Sequence, residues 1–288
     1  MLRDDVLVFD ADPAAATTAA FKKAFPDQYF SRGVTGKNAA DLAAGAAAMG
    51  LVPIVCASAM SAAASLERGL SDDPSLNIKI AALYSGASGD GASRARDIAL
   101  MRSIPGMAVL CPADDAEARA AVKAACEYQG AVYLRFSDLA VPVFHEEGRP
   151  FQIGKGEVLR EGGDIALLAT GRMAYEALQA EEILSERGIS ARVVHLPTIQ
   201  PLDEKLVLES ARKCGRVVTC EEHSVTGGLG EAVCALLSEK YPVPVRRVGI
   251  RDASRRFGPG DDPPRRSELT AGHIAKIAQE AAAQKNAD

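Results

Sequence analysis

The sequence contains no tryptophan, and aromatic residues make up only 5% of its 288 residues. A stacking platform for nucleic-acid bases needs exposed aromatic rings, so this composition does not favour a base-binding protein. The net charge of −5 and the pI near 5.5 give no electrostatic reason to expect nucleic acid or an anionic membrane as a partner. We therefore expect neither partner.

Long apolar runs are also missing, and the N-terminus MLRDDVLVFD enters a strand without a signal peptide. The six cysteines are scattered and never form a C-x-x-C pair, which indicates reduced, buried thiols and argues against a zinc site. These features predict a cytoplasmic protein. The histidines lack ligand spacing such as H-x-x-x-H, so no metal site is assigned to His145, His195, His223 or His273.

Strand-like and helix-like segments alternate along the chain, which is typical of parallel sheets covered by helices. The predicted strands of the first half are Val6–Phe9, Pro53–Ala57, Asn77–Leu83, a segment near Val109, and Val132–Phe136. A linker at 143–156, with prolines, glycines and no clear period, separates this half from a second alternating pattern. The sequence therefore predicts two three-layer α/β/α domains, residues 1–142 and 157–288, the first with a mainly parallel sheet.

The stretch Phe30–Gly50 has the pattern of a strand end, a glycine turn and an alanine-rich helix. Asn38 is the predicted N-cap, whose side chain would accept a hydrogen bond from a first-turn amide. Asp41 would lie favourably at the positive end of the helix. Such a junction either presents groups to a ligand or is simply a tightly packed core helix.

Several other stretches have both a ligand-binding and a structural interpretation. Gly89-Asp90-Gly91 lacks a suitably placed later asparagine to complete a magnesium site, so we interpret it as a turn. Gly227-Gly228-Leu229-Gly230 opens a helix but has neither the G-x-G-x-x-G pattern nor a P-loop lysine. His223 lies where parallel sheets bind ligands, or it merely finishes a turn. Four arginines either pair with a sugar phosphate or are solvated, namely Arg94, Arg96, Arg102 and Arg135.

Taken in order, three stretches resemble the C-terminal half of transketolase. They are DADPAAATTAAFKKAFPDQYFSRGVTGKNAADLAAGAAAMGLVPIV, DGASRARDIALMRSIPGMAVLCPADDAEA and PTIQPLDEKLVLESARKCGRVVTCEEHSVTGGLGEAV. The resemblance implies a pyrimidine-binding domain followed by a transketolase C-terminal domain. A transketolase also has a preceding diphosphate-binding domain, so the chain resembles the second polypeptide of a split transketolase.

This resemblance implies a transferase that moves a two-carbon ketol unit between sugar phosphates with thiamine diphosphate and magnesium. In the family a glutamate of the pyrimidine-binding domain bonds to the aminopyrimidine of the cofactor and promotes its activation. The implied partner is a transketolase N-terminal, diphosphate-binding subunit, without which this chain is not expected to be active. The implied assembly is a homodimer of this chain within a heterotetramer.

The sequence departs from the family pattern at several matched positions. Gly36 stands where the family has its activating glutamate, and Lys37 cannot replace that group because an ammonium has no acceptor lone pair. Ser58 and Ser61 stand near phenylalanines that pack on the pyrimidine in the family. The positions matched to the substrate site are Tyr84, Asp90, Arg94 and Arg135. Asp138 replaces a second phosphate-binding arginine and would repel phosphate.

These departures leave three functions open. In the first, which we take as the working hypothesis, the chain is a catalytic subunit with altered cofactor and substrate contacts. Water, or a carboxylate such as Asp12 or Asp41, would then do part of the missing glutamate's work. In the second, the chain is a non-catalytic structural or regulatory subunit. In the third, it is a small-molecule-binding module that has reused the vacated cleft near Ser58 and Ser61.

Overall fold

The computed structural model describes residues 3–11, 18–36, 38–57, 76–84, 96–137, 139–251 and 268–283. The strands of the first half are β1 (Val6–Asp10), β2 (Tyr29–Phe30), β3 (Val52–Cys56), β4 (Lys79–Tyr84), β5 (Ala108–Leu110) and β6 (Val132–Ser137). Its described helices are α1 (Ala19–Ala24), α2 (Ala39–Ala48), α3 (Asp97–Arg102) and α4 (Asp115–Glu127). The five strands predicted for this half are therefore present.

The second half repeats the alternation. Its strands are β7 (Glu157–Arg160), β8 (Ile165–Ala169), β9 (Ala191–His195), β10 (Thr198–Gln200), β11 (Val217–Ser224) and β12 (Val245–Ile250). Its described helices are α5 (Met173–Ser185), α6 (Glu204–Cys214), α7 (Leu229–Lys240) and α8 (Ala271–Ala283). No described helix is long and apolar enough to cross a bilayer.

The first sheet has the strand order β10-β5-β6-β4-β3-β1-β2. All its pairs are parallel except β10 with β5. The register places Asp10 beside Cys56 and Tyr84 beside Ser137, each at the carboxyl end of its strand. One edge of the sheet therefore collects the residues at which these parallel strands end.

The second sheet has the order β12-β11-β8-β9-β7, and only the edge strand β7 runs antiparallel to its neighbour. Its central strand β8, IALLA, is buried along its whole length, as expected for a strand covered by helices on both faces. Helices α5 and α8 pack on one face, through residues such as Ala177 and Ala278. Helices α6 and α7 pack on the other, through Val207 and Val233.

The first sheet is covered in the same way. On one face, the alanines of α2 lie against Val55 and Ile80, because side chains this small let the helix axis approach the sheet closely. On the other face, Ala121 and Ala125 of α4 pack against the sheet. The predicted fold class, two α/β domains with mostly parallel sheets, is confirmed. All six cysteines are free thiols, three of them buried and three partly buried.

Strand β10 was not predicted from the sequence, and neither was β7. Thr198 of β10 pairs with Leu110 of β5, and the amide of Cys111 donates to the carbonyl of Pro197 at 2.7 Å. A strand of only three residues carries too little alternation to be detected in a sequence. The second half of the chain thus adds an edge strand to the first sheet, which ties the two halves together. The boundaries at 142 and 157 stay predictions.

Candidate functional site

The carboxyl edge of the first sheet carries those predicted site residues that fall within the described ranges. The turn with Gly36 follows β2, Tyr84 ends β4, and Arg135 lies two residues before the end of β6. Parallel sheets bind ligands at this edge, so these positions fit a common site. Ser58, Ser61, Asp90 and Arg94 lie outside the described residues, and so do Lys37 and Asp138.

Asn38 fixes the turn that contains Gly36, but not in the way that the sequence predicts. It does occupy the N-cap position of α2, yet its side chain makes no bond to a first-turn amide. Instead its Oδ1 accepts a hydrogen bond from the amide of Thr35 at 2.7 Å, and its Nδ2 donates to the carbonyl of Gly33 at 2.8 Å. The predicted side-chain cap is therefore wrong, because Asn38 stabilises the preceding turn rather than the helix.

A buried carboxylate that was not predicted from the sequence lies at this edge. Asp10 ends β1 with 1% of its surface exposed, and its Oδ2 accepts hydrogen bonds from Thr18 Oγ1 at 2.6 Å and from Tyr29 Oη at 2.7 Å. Burial, with a smaller contribution from Asp10, raises the pKa of the Cys56 thiol to about 12. Cys56 is thus a neutral thiol at physiological pH and not an activated nucleophile.

Asp10 is a third carboxylate of this region, besides Asp12 and Asp41, the two candidates to replace the family glutamate. Asp12 lies outside the described residues, and Asp41 is exposed in the first turn of α2. The sequence signal for Asp10 is an acidic residue that ends the apolar strand VLVFD. Such a residue is expected at the ligand-binding edge of a parallel sheet.

Arg135 is buried and lies between charged groups of both domains. Its Nε donates to Asp97 Oδ2 at 2.8 Å, and its Nη2 donates to the carbonyl of Glu222 at 2.6 Å. Tyr133 Oη donates to the same Asp97 oxygen at 2.7 Å. Burial alone would lower the pKa of Arg135, but the charges of Asp97 and Glu222 outweigh it and raise the pKa. Arg135 therefore joins β6, α3 and β11, and its contact with a substrate stays a prediction.

His223 is fully buried at the same domain interface. Its Nδ1 lies 2.7 Å from the carbonyl of Ser224, and its Nε2 lies 3.4 Å from the amide of Ala99 in α3. A neutral ring that donates from Nδ1 and accepts at Nε2 satisfies both contacts. Burial, the largest contribution, lowers the pKa of His223 to about 4, which agrees with that neutral tautomer. The structural interpretation of His223 is favoured over a ligand contact.

The glycine run before α7 does not form a phosphate cradle. The Glu221 carboxylate occupies the helix N-terminus, where it accepts hydrogen bonds from the amides of Leu229 at 2.8 Å and Gly230 at 2.9 Å. A Cβ on Gly228 would lie 1.8 Å from Glu221 Oε2, so glycine is required there to admit the carboxylate. Burial raises the pKa of Glu221 to about 7, against the opposing effect of those two amides. The side chain of Glu221 therefore occupies the position at the helix N-terminus that a phosphate would take.

Arg102 also has a structural role in this interface. Its Nη1 donates to the carbonyls of Gly227 at 2.5 Å and Gly228 at 3.0 Å, which connects α3 to the loop before α7. A Cβ on Gly227 would lie 2.3 Å from the Cβ of Ala99, so the two domains approach each other closely at this point. Arg102 is thus partly buried, and its Nη1 is engaged by the protein itself. Arg96 is exposed.

A second polar cluster lies where α4, the linker and β9 meet. His195 Nε2 is 2.8 Å from Glu117 Oε2, and His145 Nε2 is 2.7 Å from Glu157 Oε1. The rings of His145 and His195 are 5.7 Å apart between centroids, although 50 residues separate them in the sequence. Sequence spacing could not reveal this cluster because each histidine comes from a different element.

His145, Glu157 and the charged groups around them shift one another's pKa values. Burial by itself would lower the pKa of His145, but the hydrogen bond with Glu157 and the charges of Glu117 and Asp114 raise it. Burial would raise the pKa of Glu157, but hydrogen bonds from His145 and Arg149 lower it to about 2. The carboxylates of this cluster are therefore held near the histidine rings by strong charge-assisted contacts.

The structure is that of a two-domain α/β protein, in which a strand of the second half, β10, joins the sheet of the first. Residues 2–143 match the family model for the transketolase pyrimidine-binding domain, and residues 154–283 match that for the transketolase C-terminal domain. The chain therefore belongs to the transketolase family and comprises these two domains.

Relatives of known name are similar over nearly their whole length. The 6-deoxy-6-sulfo-D-fructose transketolase subunit SqwH of Clostridium sp. (strain MSTE9) is 38% identical, over 98% of this chain and 90% of its own. The putative transketolase C-terminal section of Methanocaldococcus jannaschii is 40% identical, over 90% of this chain and 84% of its own.

Solved structures share the fold. A split gene transketolase, in an inactive beta4 tetramer, is 41% identical with a TM-score of 0.87 and covers 97% of this chain and 92% of that one. A Pichia stipitis transketolase is 22% identical with a TM-score of 0.71, and the match covers 97% of this chain but 43% of that one. At this lower identity the likeness concerns the fold alone.

The described residues do not fit the cofactor contact that characterises the family. The resemblance to the family implies an activating carboxylate in the turn after β2, and Gly36 has no side chain there. The nearby buried carboxylate, Asp10, already accepts two hydroxyl hydrogen bonds. The carboxyl edge of the parallel sheet is present, but position 36 carries no carboxylate.

Proposed function

We propose that this chain is the C-terminal subunit of a split transketolase-like enzyme, a thiamine-diphosphate-dependent ketol transferase acting on sugar phosphates with altered cofactor and substrate contacts. The observation that carries the proposal is the match of both domains to the family. The relatives named as a subunit and as a C-terminal section support it further, because each shares most of its own length with this chain.

The geometry supports a role in presenting one edge of a sheet to a partner. The interface contacts of Arg135, Arg102 and His223 hold the two domains together beside the carboxyl ends of β1, β3, β4 and β6. We propose that a diphosphate-binding subunit docks at this edge and that Gly36, Ser58 and Ser61 face the cofactor. Tyr84, Asp90, Arg94 and Arg135 are the proposed substrate-site residues.

The proposed assembly is a homodimer of this chain within a heterotetramer. A related split gene transketolase forms an inactive beta4 tetramer, which supports the idea that this chain is inactive on its own.

The proposal is tested by reconstitution with the candidate diphosphate-binding subunit. Ketol transfer is measured with thiamine diphosphate and magnesium, using a sugar phosphate and 6-deoxy-6-sulfo-D-fructose as separate donors, for the mixture and for each subunit alone. We expect transfer only in the mixture. Transfer that needs only one of the two subunits, or none from any donor, contradicts the proposal.

A second candidate function is a non-catalytic structural or regulatory subunit, and the absence of a carboxylate at Gly36 favours it. The two candidates differ in cofactor binding within the complex. A complex that assembles in size-exclusion chromatography, but shows neither cofactor binding nor transfer, supports the non-catalytic subunit. A Gly36→Glu complex that gains transfer shows in addition that position 36 faces the cofactor.

A further inference from the structure

The cluster at the junction of α4, the linker and β9 has the donor set of a transition-metal site. Glu117, His145 and His195 are all buried, and each offers one ligand atom within 4.8 Å of the other two. Two imidazoles and one carboxylate form a set found in zinc proteins, whereas magnesium and calcium prefer oxygen ligands.

The outer ring nitrogens are held in the manner typical of metal-bound histidines. His145 Nδ1 lies 2.9 Å from Asp114 Oδ2, and His195 Nδ1 lies 3.4 Å from the carbonyl of Ala169. Both Nε2 atoms then point inward, to Glu157 and to Glu117. A carboxylate or carbonyl that accepts from Nδ1 fixes the tautomer with a lone pair on Nε2. A metal bound by His145 would therefore displace the present contact of its Nε2 with Glu157.

The distances are close to those that a bound ion requires. With bonds of about 2.0–2.1 Å in a tetrahedral site, ligand atoms lie roughly 3.3–3.5 Å apart. His195 Nε2 and Glu117 Oε2 are 2.8 Å apart, which is below this range. All three ligand atoms lie within 4.8 Å of one another, and this largest allowed separation is above the range. Adjustment of these side chains would have to bring the ligand atoms to the tetrahedral spacing on metal binding.

Charge and access also favour a dication. Three carboxylates contact the histidine pair, those of Asp114, Glu117 and Glu157, while Arg149 is the guanidinium bonded to Glu157. A bound metal requires neutral imidazoles, and the three carboxylates and the Arg149 guanidinium then leave two negative charges for a divalent ion to balance. A cavity of about 430 Å³ borders the cluster and is also lined by the exposed Arg149 and Lys155, so water can supply a fourth ligand.

We infer that Glu117, His145 and His195 bind one divalent transition-metal ion of the zinc class, which crosslinks the first domain, the linker and the second domain. The ion lies beside β9 and α4, away from Gly36 and the edge strand β2. It is therefore distinct from the magnesium expected with the cofactor, and the inference does not depend on the proposed function.

The test uses the untagged full-length chain, stripped with a chelator and titrated with Zn²⁺ by calorimetry, with metal content measured after dialysis in excess Mg²⁺. We expect one Zn²⁺ per chain that Mg²⁺ does not displace, and a raised unfolding temperature with the ion bound. Bound Co²⁺ should give the intense visible absorption of a four-coordinate site. Absence of stoichiometric Zn²⁺ and of this absorption in the wild-type chain overturns the inference.

Two substitutions locate the ion. His145→Asn keeps a donor near Asp114 but removes Nε2, and Glu117→Gln keeps the shape of the side chain but removes its charge. Each should weaken Zn²⁺ binding about 100-fold or more, because even an outer-shell change costs 10–100-fold. The control His273→Asn, in the separate helix α8, should leave the affinity unchanged. Circular dichroism without metal identifies folded variants, and tight binding retained in the folded variants places the ion elsewhere and refutes the assignment.

Discussion

Replacement of Gly228 by alanine should destabilise the protein much more than a glycine-to-alanine change usually does. Gly228 has φ −90°, outside the left-handed region that favours glycine, so the main penalty comes from the added Cβ. The added Cβ would lie 1.8 Å from Glu221 Oε2 and 2.8 Å from His223 Nδ1. The Glu221 carboxylate must therefore leave the N-terminus of α7.

The magnitude follows from the contacts that are lost. Glu221 accepts two backbone hydrogen bonds, from Leu229 and Gly230. A hydrogen bond to a charged group contributes about 1.5–3 kcal/mol, so loss of both costs roughly 3–6 kcal/mol of the free energy of unfolding. The matched control is Gly163→Ala, whose Cβ meets nothing within 4 Å and which should change stability by less than about 1 kcal/mol.

Urea unfolding followed by circular dichroism measures both variants, at pH 8 so that Glu221 is ionised above its pKa of about 7. A mutant cycle then separates the causes, because Glu221→Ala removes the group that the new Cβ would displace. In that background, the part of the cost that comes from displacing Glu221 should disappear, and only the smaller cost of the 2.8 Å approach to His223 Nδ1 should remain. Equal costs of Gly228→Ala in both backgrounds, or equal effects of Gly228→Ala and Gly163→Ala, would refute the reasoning.

Three further predictions concern the interface and the sheet edge. Asp97→Asn removes one of the two buried carboxylates beside Arg135 and should cost up to about 3–5 kcal/mol in urea unfolding. Asp115→Asn, in an exposed pair, should cost less than about 1 kcal/mol. Similar losses would contradict the burial argument. His223 has a pKa of about 4 in the folded protein, below the ordinary histidine value of 6.5. Its contribution to the free energy of unfolding is therefore present above pH 6.5 and is lost as the pH falls through 4. His223→Gln should flatten this decrease of stability at acid pH, and an unchanged pH profile would show that another group causes it. Gly36→Glu in the reconstituted complex should raise kcat for ketol transfer by about 10²-fold or more, and Gly36→Gln should not. Equal kcat values for the Gly36→Glu complex and the unchanged complex would show that position 36 does not face the cofactor.

The fold could be predicted largely because its elements are long and regularly spaced. VLVF and the apolar segment before Tyr84 have the length and composition of buried strands, and both are present. β10 could not be predicted, since its partner β5 lies about 90 residues earlier and a three-residue strand carries no period. Long-range pairing of this kind depends on tertiary structure and not on local pattern.

The site residues stay predictions, and the structure adds contacts around them that the sequence alone does not reveal. Gly36 was identified by comparison with the family pattern, and the structure places it after β2 at the ligand-binding edge. The roles of Arg102 and Glu221 were missed because their partners come from distant segments. A buried carboxylate that caps a helix and a bound phosphate satisfy the same backbone amides, so the glycine run alone cannot distinguish them.

The central claim is that this chain and a diphosphate-binding partner together form a cofactor site on a transketolase scaffold, despite the glycine at position 36. Calorimetric titration of thiamine diphosphate with magnesium into the purified complex tests it most directly. We expect saturable binding to the complex, and no binding to this chain alone. A correctly assembled complex that gives no binding heat and no ketol transfer would contradict the claim.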